Sequence, residues 1–196
     1  MTTIVFVRHA ATDWTGVRYC GRSDPPLSED GRQAAEELAI RLGPSLPGGI
    51  RIVTSPSRRA RETATILAMR AAPAVLEEDP RWLEADVGDC EGSTFDEVEA
   101  RLPGFAARLA AGEADIDWPR GETASALMAR VTAAWEAILD TGQPTVVVSH
   151  SGPIRLAIAL ATGRSVAEVA FPGPAASVTV EVPTDARATD AARGGS

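Results

Sequence analysis

Apolar positions along this chain fall into short unbroken runs separated by longer periodic stretches, and the alternation predicts its elements. Ile4 to Val7 is a mostly β-branched run ending at Arg8-His9, as expected of a strand buried on both faces. A polar, glycine-bearing loop follows to Pro26. From about Ser28 a helix is predicted, with Asp30 and Gln33 offering cap chemistry and Ala35, Leu38, Ala39 and Leu42 on one stripe. Ile50 to Thr54 predicts a second strand and Ser57 to Ala72 a second helix, with Ala60, Ala64, Leu67 and Ala68 at helical spacing. A short strand is expected near Ala74 to Leu76.

Between Arg81 and Gly121, glycine and proline cut the pattern into short pieces, of which Phe95 to Leu102 and Phe105 to Ala111 read as helices. This stretch is expected to form a lid over a site. Thr123 to Asp140 predicts a long helix burying Leu127, Val131, Ala134, Trp135, Ile138 and Leu139, stopped by Gly142-Gln143-Pro144. Thr145 to Val148 is another apolar strand that ends near a histidine, a helix follows from Pro153 to about Thr162, and Ser177 to Val182 alternates as a last strand. Residues 184–196, TDARATDAARGGS, lack the apolar content to fold and are expected to be disordered. Strands alternating with helices indicate the α/β class: a three-layer α/β/α sandwich with a mostly parallel central sheet, in one domain over residues 1–183. In such sheets ligands collect outside the carboxyl ends of the strands.

Composition narrows the chemistry. A chain of 196 residues supports one sizeable core, and its formal charge of -8 opposes nucleic acid and anionic membrane surfaces as partners. A small phosphorylated metabolite fits better, bound by a monomer or homodimer. All 19 basic residues are arginine, which excludes Schiff-base chemistry on a lysine and the lysine of a nucleotide-binding phosphate loop. Cys20 and Cys90 are too few for a disulfide framework, and the start MTTIVFVRH lacks the pattern of a leader peptide, so a soluble cytoplasmic protein is expected.

The sequence has only two histidines, His9 and His150, and each directly follows an apolar strand, IVFVR and VVVS, so both are expected on one rim. Beside them stand Arg8, fixed between a strand and His9, and Arg58-Arg59 in TSPSRRARET; Arg58 and Arg61 read as solvated surface residues. Guanidinium groups grip phosphate oxygens bidentately, each such bond contributing about 1.5–3 kcal/mol. These arginines should also disfavour imidazolium, keeping His9 neutral and nucleophilic. Four acids, Glu84, Asp86, Asp89 and Glu91, lie in WLEADVGDCEG, and one of them suffices as a proton donor.

Four ordered segments resemble the histidine phosphatase, or phosphoglycerate mutase-like, superfamily: VRHAATDWTGVRYCGRSDPPLSEDGRQA, TSPSRRARETA, LEADVGDCEG and VVVSHSGPIR. The resemblance implies His9 as the phosphorylated nucleophile, Arg8, Arg59 and His150 as the rest of a phosphate pocket, and Glu84 as proton donor. No cofactor and no metal are implied. It also places Thr12, Thr15, Cys20, Gly21 and Ser151 around the substrate, and assigns RGET at Arg120 to Thr123 an element in which Glu122 orients an arginine or caps a helix. Ala10, Thr15 and Cys20 depart from the family's usual glycine, asparagine and glutamine or threonine; Ala10 implies an ordinary negative φ.

The entrance segment RYCGRSDPPLSEDG resembles the branch holding α-ribazole phosphatases and broad phosphoglycerate-type phosphatases, and the short stretch from Glu84 to His150 favours a phosphatase over a cofactor-dependent mutase. Other readings are weaker. No arginine follows either cysteine at the spacing of a cysteine phosphatase, Asp115 and Asp117 are not at a strand end, Ser149-His150 lacks a nucleophile elbow, and two histidines are few for a catalytic zinc. A phosphate-ester binding protein without turnover would have lost His9 or Glu84.

Overall fold

The structure is a computed structural model that describes residues 1–71, 74–111, 113 and 116–183. Its strands are β1 (Thr2–Arg8), β2 (Arg51–Thr54), β3 (Val75–Glu78), β4 (Thr145–Ser149) and β5 (Ser177–Val182), in one sheet of order β3-β2-β4-β1-β5. β1 to β4 are mutually parallel, while β5 runs antiparallel along the outer edge of β1. The expected mostly parallel sheet is therefore present.

Central β1 and β4 are apolar on both sides because both sides are covered. Ile4, Phe6 and Val147 pack toward α5 (Ala124–Thr141) and α6 (Ser151–Thr162), whereas Val5, Val7, Val146 and Val148 pack toward α1 (Glu29–Leu42) and α2 (Arg58–Arg70). Each such side chain contributes about 1.5–3 kcal/mol through burial. The pair that carries the two histidines is thus the most firmly held part of the sheet.

Several boundaries differ from the sequence reading. The cap of α1 is Ser28, whose hydroxyl accepts from Gly31 N at 3.1 Å, while the Gln33 amide bonds Glu37 instead of reaching back. β3 is displaced toward Glu77 and Glu78, and all four of its residues are exposed. Its pairing with β2 is made by backbone groups, which side-chain hydrophobicity does not report. α6 starts at Ser151, so Pro153 lies inside its first turn, where a missing N–H is harmless. α5 begins after its cap Thr123 and ends at Gly142, whose φ of +59° is the left-handed turn that glycine adopts without strain.

The segment after β3 carries two short 3-10 turns followed by α3 (Phe95–Arg101) and α4 (Phe105–Ala111), the two helices as expected. Val87, Cys90, Val98, Phe105 and Ile116 give it a small core of its own. The expectations for the 184–196 tail and for Asp115 lie outside the described residues, whereas α2 ends at Arg70 with Ala71 as its cap, short of the predicted Ala72. Among the described residues no helix is long and apolar enough to cross a membrane.

Candidate active site

Parallel register brings the two histidines together. Arg8 of β1 lies opposite Ser149 of β4, so the next residues, His9 and His150, leave the sheet side by side. His9 N donates to Ser149 O at 2.9 Å, and the two rings stand 5.0 Å apart edge to face. Neighbouring β2 ends at the same level, and the turn beyond it leads into α2, whose first turn carries Arg59.

His9 is 6% exposed. Its Nδ1 lies 2.7 Å from Ala10 O, and a carbonyl only accepts, so Nδ1 carries the proton and Nε2 keeps its lone pair. Arg59 Nε donates to that Nε2 at 3.3 Å. Burial first, then the charges of Arg59 and Arg8, lower its pKa to about 3 against an opposing contribution from Ala10 O. His9 is neutral, as the sequence suggested, but burial exceeds the arginines as the cause. Ala10 avoids positive φ, as expected, and its N–H is fixed by Thr63 Oγ1 at 3.0 Å.

His150 is fully buried behind Arg59. Arg59 Nη2 donates to its Nδ1 at 3.2 Å, leaving Nε2–H to donate to Ser55 Oγ at 2.9 Å and toward Ser57 Oγ at 3.3 Å. Burial, then Arg59 and His9, hold its pKa well below the usual histidine value. Arg59, 1% exposed, is itself fixed by the carbonyls of Ser23 at 2.7 Å and Gly21 at 3.1 Å. Arg8 reaches Pro172 O through Nη1 at 2.8 Å, while its buried Nε has no partner among the described residues. Burial lowers the pKa of Arg8, with Glu84 opposing. Arg58 and Arg61 are exposed or paired with surface carboxylates, as read from sequence.

Of the four candidate acids only Glu84 lines the cavity in front of His9. Glu91 instead collects the backbone N–H groups of Gly21, Arg22 and Ser23 at 3.1, 2.8 and 3.3 Å, Asp89 pairs with Arg120 at 2.7 Å, and Asp86 accepts from Gly88 N at 3.0 Å. Glu84 Oε1 accepts from Ala85 N at 3.0 Å, and Oε2 faces Ser151 Oγ at 3.4 Å and Gly152 N at 3.5 Å at the start of α6. A β-carbon on Gly152 would sit 2.6 Å from Glu84 Oε1, so glycine is what admits the carboxylate there.

Four supporting residues, Arg130, Ser55, Ser57 and Gly152, were not legible in the sequence. Arg130 of α5 donates to the carbonyls of Arg81, Leu83 and Glu84 at 2.8, 2.7 and 3.0 Å, and so fixes the loop bearing Glu84. Glu122 orients Arg130 at 2.6 and 2.8 Å, whereas Thr123 caps α5, which resolves the two roles open for RGET. Burial pushes Glu122 up, but Arg130 outweighs it and holds the carboxyl below its usual range. Ser55 and Ser57 in TSPSRR, and Gly152 in VVVSHSGPIR, sat inside recognised segments without a chemistry of their own to mark them.

The remaining expected residues divide. Thr12, Thr15, Cys20 and Ser151 line the cavity, whereas Gly21 stands behind Arg59 as one of its acceptors. Burial pushes the Cys20 thiol up to about 11, so it is protonated at neutral pH and is no thiolate nucleophile. The cavity holds about 450 Å³, with Arg8, His9, Arg59 and Glu84 at its base and residues of α3 and α4 along one side.

A neutral imidazole aimed between two guanidinium groups and a carboxyl, at the carboxyl ends of a parallel sheet, defines a phosphoryl-transfer class of site. The description of the histidine phosphatase superfamily, branch 1, matches residues 4–190, and the chain belongs to that family. By class it is a phosphatase, a phosphoric monoester hydrolase. It is 36% identical over 164 residues to glucosyl-3-phosphoglycerate phosphatase of Mycobacterium tuberculosis, covering 77% of this chain and 71% of that protein. To a probable phosphoglycerate mutase of Serratia proteamaculans it is 33% identical over 153 residues, covering 76% of this chain and 70% of the relative. The fold matches mycobacterial glucosyl-3-phosphoglycerate phosphatase complexed with VO3 at a TM-score of 0.81 and 32% identity, over 92% of this chain and 91% of the other.

Proposed function

We propose that the protein hydrolyses a small phosphomonoester through a phosphohistidine on His9 Nε2, without a metal ion. One observation carries the reading: the Nδ1–H of His9 is committed to Ala10 O, so Nε2 keeps its lone pair at the base of the cavity, where it accepts a 3.3 Å bond from Arg59 Nε that a bound phosphate would take over. In the first step Nε2 attacks phosphorus in line, the bond from phosphorus to the ester oxygen breaks, and Glu84 in its acid form gives that oxygen a proton. Arg8 and Arg59 carry the charge on the equatorial oxygens, and His150, held by Ser55, keeps Arg59 in place from behind. In the second step water attacks phosphorus while Glu84 takes its proton, the P–N bond breaks, and phosphate and neutral His9 result.

The positive charge that a divalent ion would supply comes here from two guanidinium groups, of which Arg8 has a buried, unpartnered Nε to offer. Both cysteines are free thiols, which suits the reducing cytoplasm we assign to it. The test is a rapid quench with a labelled phosphomonoester. Acid-labile, histidine-linked label is expected on the wild type and none on His9→Ala, whose kcat should fall at least about 10³-fold. Wild-type turnover by His9→Ala would overturn the reading, and loss of activity in chelator would overturn its metal-free part. Incubation with 3-phosphoglycerate should release phosphate without isomerisation, which separates this activity from a mutase.

A further inference from the structure

Resting on the phosphatase reading, the upper cavity bears on which ester is cleaved. The chain is poor in aromatic residues, with four Trp, four Phe and one Tyr in 196 residues, yet Trp14, Tyr19, Phe95, Trp118 and Phe171 all line this one cavity. Core formation explains Tyr19 and Trp118 only in part, because both pack against the small core of Val87, Cys90, Val98, Phe105 and Ile116 and still face the cavity. Phe6 meets Trp82 and Trp135 at tilted angles in the main core, and Phe105 packs edge to face against Trp118, but Phe95 is 41% and Phe171 48% exposed at the cavity mouth. Tyr19 meets Phe95 and Trp118 edge to face, at 4.9 and 5.8 Å between ring centres, so three of the rings form one fixed wall. Phe171 lies on the other side, seated 3.7 Å above the Arg155 guanidinium.

Several polar groups of the same space are already engaged. Thr15 Oγ1 accepts from Thr12 N at 2.9 Å, and the two threonine hydroxyls face each other at 3.3 Å. The Cys20 thiol points to Ser23 O, Arg18 Nη1 donates to Gly92 O at 2.6 Å, and Arg155 holds the carbonyls of Val169 and Val166 at 2.9 and 2.8 Å. A polyhydroxylated or carboxylated alcohol would lose water here and find few replacement partners. The volume of about 450 Å³ lies in the range of sites that enclose drug-sized ligands, roughly 300–1,000 Å³, and far exceeds the need of a three-carbon phosphate ester.

We infer that the preferred substrate is the phosphate monoester of an alcohol bearing a flat apolar ring system, bound with its ring against the Tyr19, Phe95 and Trp118 wall and its phosphate on Arg8 and Arg59. Aryl phosphates are intrinsically reactive, so the comparison uses primary alkyl esters of matched leaving-group chemistry. The probes are 2-(1-naphthyl)ethyl phosphate, glycerol 1-phosphate and 3-phosphoglycerate, with kcat/KM measured for each. The naphthylethyl ester is expected to lead by roughly tenfold or more, chiefly through KM, and Phe95→Ala should shrink the lead several-fold. Phe171→Ala, at a half-exposed position whose ring contact is the Arg155 guanidinium, provides the second variant. Equal values for the three esters, a lead for glycerol 1-phosphate or 3-phosphoglycerate, or a lead that both variants leave intact would overturn the inference while leaving the phosphatase reading standing. Hydrolysis of none of the esters, with no label on His9, would remove the phosphatase reading itself.

Discussion

The base and the upper wall of the cavity are built in opposite ways. At the base, His9, Arg59 and His150 extend from the buried β1–β4 pair and the first turn of α2, and nearly every polar atom is tied to another element of the sandwich. The wall stands on two seven-residue helices with a five-residue core of their own and exposed aromatic residues at the mouth. Phosphoryl transfer needs groups fixed within fractions of an ångström, which a sheet edge buried on both faces provides. Choice of alcohol needs a surface that can change without disturbing them.

The largest expected effect comes from breaking the wall. Phe105→Ala removes the ring under Trp118, a truncation that costs about 3–5 kcal/mol in a typical core. If base and wall are energetically separate, amides of residues 95–111 should lose hydrogen-exchange protection while those of β4 keep theirs. Equal loss in β4 would show one cooperative unit, and the contrast drawn here would fail.

Gly152→Ala probes the seam between the two. The added methyl would crowd Glu84 Oε1, which can swing away, while alanine suits a helical position in the first turn of α6 better than glycine. Activity should fall about 10- to 100-fold with a melting temperature unchanged or slightly raised; a drop in melting temperature matching the loss of activity would count against Glu84 being held by α6.

A smaller effect concerns the base alone. The pKa of His9 is lowered to about 3 and that of His150 is well below its ordinary value, so in the range below about 6.5 the unfolded chain takes up protons that the folded chain refuses. Stability should therefore fall as pH drops from about 6.5 toward 3, by up to about 1.4 kcal/mol per pH unit for each withheld proton. Urea midpoints at pH 7.5, 6.5 and 5.5 would check this, with His9→Asn showing the shallower slope. Identical slopes for wild type and variant would mean that His9 is not buried in its neutral form.

Much of this was legible beforehand where one residue type does one job. The apolar runs Ile4 to Val7 and Thr145 to Val148 read as buried strands, and a histidine after each was expected at the ligand end of a parallel sheet. β3 was misplaced because an edge strand is held by backbone bonds that leave its side chains exposed. Arg130 went unnoticed because an arginine next to Val131 on an amphipathic helix looks like any boundary residue, and its partners are carbonyls some 46–49 positions away.

By itself the sequence determined the alternation of strands and helices, the two strand-end histidines and the arginines beside them, because hydrophobic period and residue type are local properties. Only the tertiary structure decided which of four acids lines the cavity with His9, which imidazole nitrogen keeps its lone pair, and that five of nine aromatic rings gather over one cavity. Those depend on distances between segments far apart in the chain, set by sheet register and helix packing, and no local pattern records them.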